Sequence, residues 1–230
     1  MSDWKQAFKQ SNPLITYALL SGLKIDTVAR IFNQIRQGND PTEMQIEQVI
    51  LDRVPRMDRP DYEFPSGANI FLEGYNIMKE NQNPKAIPIV LTSTEAGRSY
   101  GIALMFYEDL RDHIRVIQDV ITQYSNNEEM FEEEFIRSNF EMNMENRDRI
   151  GTIAEDERES VSSSNFNQIK EYIMAFTEED LTKEGLFNGQ NYYIPKALFL
   201  LSRSPIFETI EQIVKHIYIT CTTGIDFPLE

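Results

Sequence analysis

Two nearly unbroken apolar runs of ten residues lie towards opposite ends of this 230-residue chain, Leu14 to Leu23 and Tyr192 to Leu201. Runs that short and that continuous fit strands with little exposed face better than amphipathic helices, which keep a polar stripe. They are too short to cross a bilayer, which takes roughly 18–20 apolar residues. Two such strands must sit inside a sheet. The rest of the chain therefore has to supply strands to flank them and helices to cover them.

The intervening sequence offers both. Asp26 can cap a helix that places Val28, Ile31, Phe32 and Ile35 on one side and stops at Gly38. Asp40-Pro41-Thr42-Glu43 reads as another helix start, with a capping Asp, a proline at the first position and a capping-box-like Glu. That helix would end by Val54-Pro55, although Gln48 to Val54 reads equally well as extended chain. Arg56 to Gly67 reads as loop. Ile87 to Thr92 and Ser99 to Tyr107 are β-type runs whose short connection, Ser93 to Arg98, contains a glycine and marks a hairpin. Pro88 has no N–H to donate, so it belongs at a strand start or on an edge. Leu110, Ile114, Ile117, Val120, Ile121 and Tyr124 recur at helical spacing, and Ile169, Tyr172, Ile173 and Phe176 suggest a shorter helix. After a sharp turn at Ser202 to Ser204, Pro205 opens a helix carrying Ile206, Ile210, Ile213, Val214 and Ile217. Thr222 to Glu230 holds no packed-looking element. The order predicts an α+β fold: one antiparallel-rich sheet of about five strands with helices against it.

Charge divides the chain unevenly. The net charge is −15, from 37 acidic and 22 basic residues. Glu108 to Phe187 alone carries 21 acids and 8 bases, leaving 16 acids and 14 bases for the other 150 residues. Such a chain repels phosphate backbones and anionic bilayers, which argues against nucleic acid or membrane as a direct partner. The acidic stretch, at about 108–190, reads as an insertion, part helical and part disordered. Its Ser160, Ser162, Ser163 and Ser164 sit among acids and are candidate phosphorylation sites in a regulatory or docking reading; the plainer reading is solvated charge. The single Cys221 cannot form an internal disulfide, and the N-terminus lacks a secretory pattern, so a reducing cytoplasm is the expected compartment.

Signs of bond-making chemistry are scarce. The two histidines, His113 and His216, fall inside expected helices and are expected at the surface or its boundary. Cys221 follows His216 by five residues, but no third group is suggested to orient the pair. One cysteine and two distant histidines give no zinc spacing, and the glycines form no phosphate loop. The Glu128–Glu134 cluster lacks the spacing and central glycine of a calcium loop. No cofactor or catalytic residue is expected, and a binding or regulatory module is the better default than an enzyme.

Several of these segments carry a family resemblance. Ile194-Pro195-Lys196-Ala197-Leu198-Phe199-Leu200-Leu201-Ser202-Arg203-Ser204-Pro205-Ile206-Phe207 resembles the Pro-Lys-Ala-Leu stretch of DENN-domain proteins and the strand, turn and helix start around it. The hairpin from Val90 to Gly101 resembles the family's Leu-Thr-x-x-x-Gly-x-x-x-Tyr-Gly pattern, with one residue fewer between Gly97 and Tyr100, and Phe106-Tyr107-Glu108 follows it as in the family. Tyr17 to Leu23 is similar to the opening strand, Phe64-Pro65-Ser66-Gly67 to a Pro-x-Gly stretch, and Phe227-Pro228-Leu229-Glu230 to the start of a linker. The match covers about half of the chain, and Asp26 to Arg53 has no evident counterpart.

The resemblance implies the upstream DENN lobe, a longin-like α/β sandwich spanning residues 1–230, with 222–230 opening the linker to a central DENN lobe that the chain lacks. DENN proteins are guanine-nucleotide exchange factors for Rab GTPases, which sit between the two lobes. The implied partners are thus a Rab-family GTPase and the central lobe, with recruitment to vesicle membranes. The candidate partner contacts are Glu95 and Arg98 at the hairpin and Lys196 and Arg203 around the strand and turn. The alternative is a longin-like scaffold lobe in a heteromeric DENN-related complex, assisting GTP hydrolysis through Arg98. A third class is an unrelated α/β interaction domain.

Overall fold

The computed structural model describes residues 13–59, 62–65, 68, 74–93, 97–124, 170–171, 173–182, 187 and 189–223. In chain order the elements are β1 (Tyr17–Leu23), α1 (Ile25–Arg36), a 3₁₀ turn (Pro41–Glu43), β2 (Gln48–Val54), β3 (Lys85–Ser93), β4 (Gly97–Asp109), α2 (Leu110–Tyr124), β5 (Tyr193–Ser202) and α3 (Phe207–Thr223). The strands form one antiparallel sheet in the order β2-β1-β5-β4-β3. The architecture is α+β, consistent with a longin-like fold, as the sequence led us to expect.

The two apolar runs became the inner strands β1 and β5, paired to each other with Tyr17 opposite Leu201 and Leu19 opposite Phe199. The hairpin joins β3 to β4 with Thr92 opposite Arg98, and Pro88 is accommodated because β3 is an edge strand. The expected second helix did not continue. Asp40 does cap Thr42, at 3.0 Å, but only a three-residue 3₁₀ turn follows, and Gln48–Val54 is the edge strand β2. α1 starts one residue before Asp26, after Lys24, and ends as expected: Gly38 adopts φ +78° and returns its N–H to Ile35, while Asn39 reaches Gln34.

Alternation along the strands sorts side chains onto two sheet faces. On one, Ile102, Leu104 and Leu200 meet Ile210 and Val214 of α3. On the other, Tyr17, Leu19, Ile89, Leu91, Phe199 and Leu201 lie under Tyr62 and Phe64 from the connection between β2 and β3. A third cluster joins α1 to α2 through Val28, Ile31, Phe32, Ile114 and Ile121. It recruits the ends of the acidic stretch: Phe176 and Phe187 pack on Phe32, with ring centres 4.7 and 5.7 Å away. Gly101 stands where a Cβ would strike the Leu200 carbonyl and come within 2.7 Å of Leu201 Cδ2, so only glycine permits this β4–β5 approach.

Candidate functional site

The four candidate contacts part company in the fold. Arg98 is exposed, the second residue of β4 beside the hairpin connection and opposite Thr92. Glu95 lies outside the described residues, as do Ser160, Ser162, Ser163 and Ser164. Arg203 follows β5, and its guanidinium stacks 4.3 Å above the Tyr62 ring. Tyr62 is held from below as well: its carbonyl accepts the Tyr17 hydroxyl at 2.6 Å, and its own hydroxyl meets Ser99. Arg203 thus helps to fasten Tyr62 onto the sheet.

Lys196 lies in the inner strand β5, opposite Phe106. Its side chain is only 14% exposed, and Nζ rests 2.5 Å from Glu108 Oε2. The same oxygen lies 2.9 Å from Nδ1 of His113, whose side chain is 13% exposed. His113 therefore stands at the boundary, as expected, but in company that its sequence position did not announce. Glu108 ends β4, His113 lies in the first turns of α2, and Lys196 is brought beside them by β5. The junction that allows this is sharp. Asp109 caps α2 by accepting the Arg111 N–H at 2.9 Å, grips the Arg111 guanidinium at 2.6 Å, and leaves that guanidinium to reach Asn191 at 3.0 Å.

The electrostatics follow from this geometry. Burial alone raises the Glu108 pKa, but His113 and Lys196 more than offset it and hold the carboxyl at about 2. Burial lowers the pKa of His113, contact with Glu108 raises it, and the Lys196 charge lowers it again; the net shift is downward. At neutral pH the site holds a carboxylate, an ammonium and a neutral imidazole.

A second ion pair, Lys79 with Asp40, ties the 3₁₀ turn to the stretch before β3 and keeps the Asp40 carboxyl at about 2. His216 and Cys221 lie exposed on α3. Among the described residues, no helix is long and apolar enough to cross a membrane, and no group of three or more His, Cys, Asp or Glu is placed to hold a metal ion. No known protein family, curated protein or solved structure matches the chain.

Proposed function

We propose that the chain is the upstream, longin-like lobe of a DENN-type guanine-nucleotide exchange factor, which binds a Rab-family GTPase and promotes GDP release in membrane trafficking. The observation that supports this reading is where the resembling segments fall. Pro195 to Leu198 lies in the inner strand β5, and the Val90 to Gly101 hairpin forms the adjoining end of the sheet, within a fold consistent with a longin-like one.

Such a factor breaks no bond. It binds the nucleotide-free GTPase more tightly than the loaded form, and by linkage it lowers nucleotide affinity by the same factor. In this reading the hairpin, with Arg98 and Glu95, faces the GTPase, and Lys196 and Arg203 keep β5 and its turn in shape for that contact. A central DENN lobe completes the clasp around the switch segments. The lobe works in the cytoplasm, recruited peripherally to vesicles.

The test is retention of the purified chain on a panel of immobilised Rabs, each stripped of nucleotide, loaded with GDP, or loaded with a slowly hydrolysed GTP analogue. The expected result is selective retention on one stripped Rab, with weak or no release of GDP by this lobe alone. Absence of retention on every Rab in every state would overturn the reading. The exposure of Arg98 on the hairpin favours one further reading, a scaffold lobe within a heteromeric complex. There, Arg98→Ala would slow GTP hydrolysis and leave assembly intact.

A further inference from the structure

The Glu108–His113–Lys196 cluster joins three elements through one carboxylate oxygen. Oε2 of Glu108 has Lys196 Nζ at 2.5 Å and His113 Nδ1 at 2.9 Å. A single carboxylate balances a single cation. While Lys196 fills that role, the imidazole fits uncharged, and taking up a proton adds a second cation beside a single carboxylate. In a largely buried site that charge is costly. We propose that Glu108, His113 and Lys196 form an acid-sensitive joint between the sheet and α2, closed while His113 is neutral and loosened when it takes up a proton.

Among the described residues, the charges acting on the imidazole are Glu108 from β4 and Lys196 from β5. β1 brings only Gly22 against the Lys196 stem, where a Cβ would lie 3.4 Å from Cγ. Of the other charges within and beside α2, Asp109 pairs with Arg111 and Asp112 with Arg115 at 3.0 Å, and Asp119 is exposed six residues further along the helix. The downward shift of His113 agrees with this arrangement.

The position of the joint gives it leverage. α2 supplies Leu110, Ile114 and Ile121 to the cluster that also holds α1, Phe176 and Phe187. Loosening the first turns of α2 therefore acts on the α1–α2 layer. The sign is fixed by linkage. An unfolded histidine titrates near 6.5, and this one titrates lower when folded, so the unfolded chain binds more protons. The contribution of His113 is full above about pH 6.5, falls as the pH drops from there to its folded value, and no longer changes below it.

The experiment is an NMR titration of the two imidazoles in the full chain, assigned with His216→Gln. His113 is expected to titrate below the free-imidazole value, and Lys196→Met is expected to move its midpoint upward, because Glu108 then favours an imidazolium. A His113 midpoint at or above the free value, or one unmoved by Lys196→Met, would overturn the proposal. Thermal melts supply a second readout. The melting temperature of the native chain should fall between pH 7 and pH 5, and His113→Gln should flatten that fall. An unchanged pH slope in His113→Gln would count equally against the joint. Should that variant not fold, the Lys196→Met titration decides.

Discussion

Glu108 shows how a carboxylate near the end of a strand can be held ionised inside a protein. Replacing it by Gln removes the anion that Lys196 faces and leaves an ammonium largely buried without a counter-charge. A fully buried pair broken this way costs about 3–5 kcal/mol; the partial exposure of Glu108, 32%, brings the expectation to about 2–3 kcal/mol, measurable by urea denaturation at pH 7. The carboxyl sits at about 2 against an ordinary 4.5, so its contribution is present above about pH 4.5 and fades as the pH falls towards 2. Glu108→Gln should accordingly lose less stability than the native chain between pH 5 and pH 3. Arg98 belongs to the opposite class. It is exposed, and Arg98→Ala should change stability by no more than about 0.5 kcal/mol in the same measurement. Any loss of GTPase binding or GTP hydrolysis in that variant then reports on contact and not on folding.

Among the elements, the tightest constraint is the close approach of β4 and β5. Gly101→Ala drives a methyl into the Leu200 carbonyl, which is backbone and cannot swing aside. Overpacking of this kind costs about 1–3 kcal/mol, and a drop in the urea midpoint checks it. On the other face, Ile210→Ala should cost about 2–5 kcal/mol by opening a cavity between α3 and the sheet. The elements differ in how openly the sequence declared them. β1, β5, the hairpin, α1, α2 and α3 were legible because each carries its own periodicity or apolar run. Gln48–Val54 was not decided locally. The helix-start signals at Asp40-Pro41-Thr42-Glu43 are real, and Asp40 caps as they promise, but β1 needs a partner on its free side and the chain continues as strand. The buried charge cluster was illegible for a different reason. Its three members belong to three elements, and Glu108 and His113, five residues apart, meet only because a strand turns into a helix between them.

Across the whole molecule, the strand order has a consequence for how the chain comes to be made. Of the described strands β1 leaves the ribosome first, yet one of its neighbours, β5, leaves last: Thr16 and Leu201, which share a backbone hydrogen bond, are 185 positions apart. The central ladder therefore cannot close during most of synthesis. Until it does, Tyr17–Leu23 has at most β2 to pair with and leaves its other edge unclaimed. Non-local pairing of this kind slows folding, and an apolar strand with an open edge invites other chains to pair with it. Nascent chains stalled before residue 193 should stay protease-sensitive across β1, and those that display residues 193–223 outside the exit tunnel should become resistant. For the cell, this protein is at its most vulnerable during the interval between making β1 and making the strand that locks it in place.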